Sequence, residues 1–302
     1  MCGISGYYGS FDHELLNNFV KILQHRGPDD CGIWHGNNVG LAHTRLSIID
    51  LSEAGHQPMC SDNLIITYNG EIYNYKELRQ QLLYKGESFI SESDTEVILK
   101  MYKYYGTLCV ERLNGIFAFA IWDVSKQILF VARDHLGVKP FYYAFTSKGF
   151  LFGSEMKALL CSDAIDPIIE PTAIVNYITY LWSPGTTTML ADVKKLEPGN
   201  AMIIKDGKLE KKWRFYDIPY NNKKKKNKVF SEDEAIKGVR LLLQQAVARQ
   251  MVADVPVGAF LSGGLDSSSV VVYAKNAQPK TKLQCFTIDL QCKKDTQDGF
   301  VD

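Results

Sequence analysis

No C-x-x-C pair occurs in this sequence, and its seven cysteines (Cys2, Cys31, Cys60, Cys109, Cys161, Cys285, Cys292) are an odd number. Such spacing suggests neither a zinc site nor a disulfide framework, so the metal expectation is none. Net charge is also missing: 34 lysines and arginines meet 34 aspartates and glutamates. No global field therefore draws the chain to nucleic acid or to an anionic membrane. No apolar run approaches the roughly 20 residues that span a bilayer, and no basic residue precedes Lys21 to form an export signal. No internal repeat is found. What remains is a chain of 302 residues, long enough for one large domain or two ordinary ones with real cores. It reads as a cytoplasmic protein with reduced thiols, acting on small molecules rather than on nucleic acid or membrane.

One segment interrupts the texture. Asn221 to Lys228 reads Asn-Asn-Lys-Lys-Lys-Lys-Asn-Lys, a solvated, self-repelling linker rather than a nucleic-acid arm, since no aromatics are interleaved. The predicted division is 1–220, a linker over 221–230, and 231–302. Upstream, short alternating runs (Ile116 to Trp122, Ile128 to Val131, Phe141 to Phe145, Phe150 to Phe152) sit at hairpin distances and predict antiparallel strands. Between them Val97, Ile98, Met101, Tyr104 and Tyr105 form one helical stripe, with Ser93 and Glu96 at capping-box spacing. This predicts a mixed α+β first domain. Downstream, a capped helix from about Ser231 has Glu234 as box partner and Ile236, Val239, Leu242, Leu243 and Val247 facing inward. Then come a strand over Val255 to Leu261, a glycine loop, a helix over Ser267 to Ala277, and a strand over Leu283 to Leu290. That order is a parallel βαβ unit.

The first chemical feature is the start, Met1-Cys2-Gly3-Ile4. A small second residue permits methionine removal, which would place a thiol and a free α-amine on Cys2. The amine titrates at about 7.7 to 8.0, so it can take the thiol proton directly or through water. Four further runs contain what a zwitterionic amino acid and a developing oxyanion need: His25-Arg-Gly-Pro-Asp29, Thr44-Arg-Leu-Ser-Ile48, Tyr68-Asn-Gly-Glu-Ile-Tyr-Asn74 and Ser93-Asp-Thr-Glu96. Asn69-Gly70 by itself is also the strongest short signal for a type I′ hairpin turn.

With Cys2, these runs resemble the class II glutamine amidotransferase domain over residues 2 to about 200. Arg133-Asp-His-Leu-Gly137 and Gly153-Ser-Glu-Met-Lys157 narrow the resemblance toward glutamine-hydrolysing asparagine synthetases. The fold it implies is an N-terminal nucleophile sandwich of αββα layers with antiparallel sheets. The resemblance implies that Cys2 is the nucleophile and that the glutamine site comprises Arg45, Leu46, Ser47, Ile48, Ile49, Asn69, Gly70, Glu71 and Asp94. Arg45 would grip the α-carboxylate through two parallel hydrogen bonds. Asp94, in the first turn after Ser93, would hold the ammonium, helped by Glu71. The Asn69 amide and the Gly70 N–H would form the oxyanion hole, where losing one donor typically costs about 3 kcal/mol. His25 and Arg26 read as a structural loop beside the site, stiffened by Gly27-Pro28. His43 and His135 read as scaffold histidines.

The second feature is Ser262-Gly-Gly-Leu-Asp-Ser-Ser268, directly after an apolar strand and opening a helix, a context that aims backbone N–H groups and a helix dipole at an anion. It has no Gly-Lys-Ser/Thr ending and resembles the pyrophosphate loop of an α/β ATP-pyrophosphatase domain with a parallel sheet. The implied ATP site is Leu261, Ser262, Gly263, Gly264, Leu265, Asp266, Ser267, Ser268 and Ile288. Leu261 and Ile288 would flank adenine, and Asp266 would stand near Mg2+ or pyrophosphate. The combined implication is that Cys2 releases ammonia from glutamine and a second site amidates aspartate through β-aspartyl-AMP. The family's synthetase domain extends further than Asp302, so residues 229 to 302 read as part of a domain, completed by a partner chain or a homodimer if at all. A glutaminase-only subunit, an amidotransferase for another acceptor and a non-catalytic remnant are the rival readings.

Overall fold

The computed structural model describes residues 1–219 and 230–288. The linker expected over 221–230 lies outside them except for Phe230, as do the last two residues of the strand expected over Leu283 to Leu290. The chain divides into two units, Met1–Tyr220 and Asn221–Asp302.

The short apolar runs of the first unit become strands β1 (Gly3–Gly9), β2 (Asp30–His35), β3 (Val39–Arg45), β4 (Met59–Ser61), β5 (Leu64–Ile72), β6 (Gly115–Asp123), β7 (Ile128–Arg133), β8 (Tyr142–Thr146), β9 (Gly149–Gly153), β10 (Lys194–Lys195), β11 (Asn200–Lys205) and β12 (Lys208–Arg214). They form two antiparallel sheets, in the orders β10-β8-β9-β1-β3-β2 and β12-β11-β7-β6-β5-β4. Between the sheets Ile4, Leu41, Ala118, Leu129, Phe150 and Met202 make one apolar core. Helices α1 (Glu14–Leu23), α2 (Tyr75–Tyr84), α3 (Asp94–Tyr105), α4 (Met156–Leu159) and α5 (Pro171–Tyr180) complete the unit. Leu16 and Phe19 of α1 pack with Tyr7, Ala42 and Leu151 on the outer face of the first sheet. On the second sheet α3 lies against β5. The result is the αββα sandwich. Because helices cover the outer faces, the central strands are apolar on both sides: β1 is buried from Gly3 to Tyr8 and β6 from Phe117 to Asp123.

Two local expectations are corrected. Ser93 does cap α3, but it accepts from Thr95 N, and no box forms with Glu96. The Glu96 carboxylate instead accepts from the backbone N–H groups of Ile90 and Ser91 and from the Ser91 hydroxyl, because the preceding turn doubles back over the helix start and offers three donors. On the stripe, Val97, Ile98 and Met101 are buried, but Tyr104 is exposed and Tyr102 takes its place in the core.

In the second unit, α6 (Glu232–Gln250) starts with the expected Ser231–Glu234 capping box. Strands β13 (Gly258–Phe260) and β14 (Gln284–Phe286) flank α7 (Leu265–Ala277) and pair in parallel, Gly258 opposite Gln284. Both strands are shorter than expected. Of the α6 residues expected to face inward, Val247 is buried and Leu243 packs against it, whereas Ile236, Val239 and Leu242 are exposed. Two described strands offer too little surface to cover a helix of this length. For the same reason Phe260, Val270, Val272 and Phe286 are exposed. Among the described residues no helix is long and apolar enough to cross a membrane.

Candidate active site

Cys2 directly precedes β1, an inner strand that pairs with β9 on one side and β3 on the other. Its carbonyl accepts from Arg26 Nε at 2.9 Å, and its half-buried Sγ lies 3.4 Å from the Leu46 backbone nitrogen, which donates to it. Burial pushes the thiol up, while the Leu46 N–H and the terminal amine work against that rise. The amine of Met1 is itself lowered, mainly by burial. Arg26 also binds Glu155, which accepts from His25 as well. Burial would raise the Glu155 carboxyl, but hydrogen bonds from Arg26, His25 and Lys157 outweigh it and hold Glu155 at about 2. The loop at His25 and Arg26 thus braces the chain at Cys2.

A hollow of about 30 Å³ opens beside the thiol, and Cys2, Arg45, Leu46, Gly70, Glu71 and Asp94 are among the residues that line it. The segment from Leu46 to Asp50, which forms part of its wall, is neither strand nor helix. Ser47 and Asn69 are not among the lining residues; Ser47 N is held by Asp29 at 2.8 Å.

Asn69 and Gly70 do not form the hairpin turn that their pairing suggests. They lie inside β5, opposite Ala118 and Phe117 of β6. Backbone N–H groups of a strand alternate sides. Tyr68 N donates to Gln57 Oε1 and Ile72 N to Asp94 Oδ2, both away from β6. Gly70 N, between them in the same alternation, points to that side also, into the hollow. A side chain on Gly70 would sit 2.2 Å from the Ile116 carbonyl oxygen, so glycine is required by the closeness of β6. The Asn69 side chain is 1 % exposed, and its Nδ2 is buried with no hydrogen-bond acceptor.

Arg45 closes β3 and turns its guanidinium into the loop that follows. It donates to the carbonyl oxygens of Ser52 (3.0 Å), Ile49 (3.5 Å) and Asp50. Any side chain at Gly55 would collide with it. At the other end of the hollow, Asp94 Oδ2 accepts from the Tyr68 hydroxyl (2.8 Å) and from Ile72 N (2.9 Å), while Glu71 Oε2 is buried without a partner. Burial raises both carboxyls, and for Glu71 the Asp94 charge adds to the rise.

Two residues of this neighbourhood, Gln57 and Lys139, carry no motif signal in the sequence. Gln57 and Tyr68 hold the lining in register through the bonds above. Lys139 is 7 % exposed and is lowered by burial, with Glu71 and Cys2 as its main opposing charges. Its backbone is clamped on both sides: Lys139 N donates to Asp134 Oδ2, and Arg133 Nε donates to Lys139 O. Of the two scaffold histidines, His43 donates Nε2–H to the Tyr68 carbonyl but leaves Nδ1 unpartnered, and burial drives it down to about 3. His135 lies among Phe117, Phe215 and Tyr216.

Residues 1–216 match the family model of the glutamine amidotransferase domain. The chain belongs to that family. Residues 238–300 match the asparagine synthase model. Two relatives from Bacillus subtilis (strain 168) are 39 % identical: "asparagine synthetase [glutamine-hydrolyzing] 3", aligned with 96 % of this chain and 48 % of its own length, and "asparagine synthetase [glutamine-hydrolyzing] 1", aligned with 93 % and 45 %. The chain spans about half the length of these curated relatives. A solved glutamine phosphoribosylpyrophosphate amidotransferase from B. subtilis shares the fold, with a TM-score of 0.55 at 18 % identity over 95 % of this chain and 65 % of that one.

In the second unit, the amidotransferase chain carries the glycine loop between β13 and α7. Gly263 has φ +88°, which favours glycine. Gly264 caps α7 without a side chain, so the first N–H groups of the helix are left for an external acceptor. Ser262 and Ser267 bind each other at 3.0 Å, and Ser267 Oγ donates to Gly264 O. No Cβ-sized obstacle lies near Gly263. Leu265 and Asp266 are exposed in the first turn, Ser268 continues the helix, and Leu261 and Ile288 follow the C-terminal ends of the two parallel strands. Sheets of this kind bind ligands at that end.

Proposed function

We propose that the first unit hydrolyses glutamine and that the second belongs to an ATP-dependent site that spends the ammonia on aspartate. The observation that carries the first part is the shared hollow: a thiol, a guanidinium, the Gly70 backbone and a buried acidic pair line one small space, with the unpartnered Asn69 amide next to Gly70 in the same strand. Loss of Met1 would leave the α-amine on Cys2, where it takes the thiol proton. The thiolate attacks the amide carbon, and the oxygen that gains charge is met by Asn69 Nδ2 and Gly70 N–H. The protonated amine then supplies the proton on which ammonia leaves. Water hydrolyses the thioester to glutamate. Arg45 binds the α-carboxylate once the loop shifts, and Glu71 with Asp94 binds the ammonium.

For the second part, the Ser262–Ser268 loop would hold the phosphates of ATP, and Asp266 would meet Mg2+. The nucleotide would supply the activation of the acceptor carboxylate. The loop residues bind and orient it. The synthetase relatives favour aspartate as the acceptor.

The direct test is glutamate release from glutamine by purified protein, with the intact mass taken on the same sample. Activity from protein lacking Met1 is expected; full activity with Met1 uniformly retained would defeat the amine as base.

A second expectation concerns pH. The substrate ammonium favours the ionised acidic pair, so glutamine binding releases a proton, and KM rises as pH falls through the raised carboxyls. Glu71→Gln removes the repulsion, which lets Asp94 ionise at lower pH. The acid limb of kcat/KM is therefore expected to move to lower pH, with weaker binding on the plateau. An unmoved limb would show that the pair does not govern binding.

A further inference from the structure

The two ends of the hollow belong to different parts of the chain, Arg45 to the end of β3 and Asp94 to the start of α3. Asp50 joins them directly at the Arg45 loop. Asp50 Oδ1 accepts from Ser52 N (3.1 Å) and Ser52 Oγ (2.5 Å), which shapes the loop whose carbonyls surround the Arg45 guanidinium. Its Oδ2 accepts from Glu92 N at 2.8 Å, two residues before Asp94. Asp50 is 8 % exposed and has φ +54°, a left-handed backbone state that aspartate and asparagine adopt more readily than most residues.

The far end of this bridge is firmly seated. Arg79 of α2 donates to Ser91 O at 2.6 Å and to Glu92 Oε1 at 2.9 Å, and Glu96 holds the N–H groups of Ile90 and Ser91. The near end is an irregular loop, tied besides by Ser47 N on Asp29, by Leu46 N on Cys2 Sγ and by the Arg45 guanidinium on the carbonyls of Ile49, Asp50 and Ser52; among these, Asp50 is the tie to Glu92.

We propose that Asp50 is a positioning residue that sets the separation between the guanidinium of Arg45 and the Glu71–Asp94 pair, and so the affinity for substrates carrying both α-charges. This rests on the glutaminase reading. The bridge touches neither Cys2 nor the oxyanion donors, so its loss should weaken capture of the amino-acid end and leave the chemistry of the thiol alone.

Asp50→Asn is the test, since asparagine tolerates a positive φ and keeps one acceptor oxygen while placing an NH2 against a backbone donor. KM for glutamine is expected to rise about tenfold with kcat within about twofold, the equivalent of about 1.4 kcal/mol in binding. Two reagents separate this from a general loosening, each read by peptide mass at Cys2. Alkylation by a glutamine-like diazoketone amino acid should slow about tenfold, while iodoacetamide, which has no α-charges, should label at the wild-type rate. Ser52→Ala, a milder cut of the same bridge, should shift KM in the same sense by less. An unchanged KM in both variants, or equal slowing by both reagents, would overturn the proposal. If wild-type protein neither hydrolyses glutamine nor takes the diazoketone at Cys2, the glutaminase reading falls and this proposal with it.

Discussion

The Cys2→Ala chain is expected to fold and to release no glutamate from glutamine. Cys2 is the one thiol that lines the hollow; the hydroxyls that share it are engaged elsewhere, Tyr68 on Asp94, Ser93 on Thr95 N and Thr95 on Gln57, and none carries a base on its own residue to activate it as the α-amine would activate the thiol. The fold should persist because Cys2 precedes β1, and the ladders to β3 and β9 run from Gly3 and Ser5 onward. Among the described residues the thiol's hydrogen bonds are the two long ones with Leu46, at 3.4 and 3.6 Å. Its loss should cost no more than about 1 kcal/mol of stability, the scale of an ordinary single substitution. Glutamate release with melting temperature as control is the measurement. Comparable turnover by the variant would mean that the nucleophile lies elsewhere.

Asn69→Ala is expected to lower kcat by about 10²- to 10³-fold, the usual effect of removing one oxyanion donor, with KM little changed. The free protein supplies the reason for this split. Asn69 Nδ2 is buried without an acceptor, a state that costs stability and persists only where something else compensates. Removing an unpaired donor should therefore be nearly neutral for folding, while the charge that builds on the amide oxygen loses half of its two-donor cradle. A fall in melting temperature with kcat intact would reassign Asn69 to the scaffold.

Much of this was readable along the chain because local chemistry and local structure agree there. The strand runs, the cap at Ser93, the capping box at Ser231 and the strand–loop–helix around Ser262 all depend on neighbours within a few residues. Asn69-Gly70 shows where that stops. The dipeptide favours a hairpin turn, and only pairing with β6, more than forty residues away in the chain, fixes it as strand. Asp50 was invisible for a related reason: its role depends on a positive φ and on the N–H of Glu92, neither of which leaves a mark in composition. Lys139 became notable only once Asp134 and Arg133 were seen to clamp its backbone. In α6 the periodicity was correct as a pattern, but burial of Ile236, Val239 and Leu242 needs a surface that the described residues do not supply.

The position of Cys2 at the head of an inner strand has a practical corollary. A purification tag or fusion partner placed ahead of Met1 would emerge beside the hollow and leave the cysteine amine locked in a peptide bond. Such a product should be soluble, well folded and inert, resembling a zymogen. A site-specific protease that cut directly before Cys2 would switch it on, whereas a tag at the other end of the chain would leave the first unit free to work.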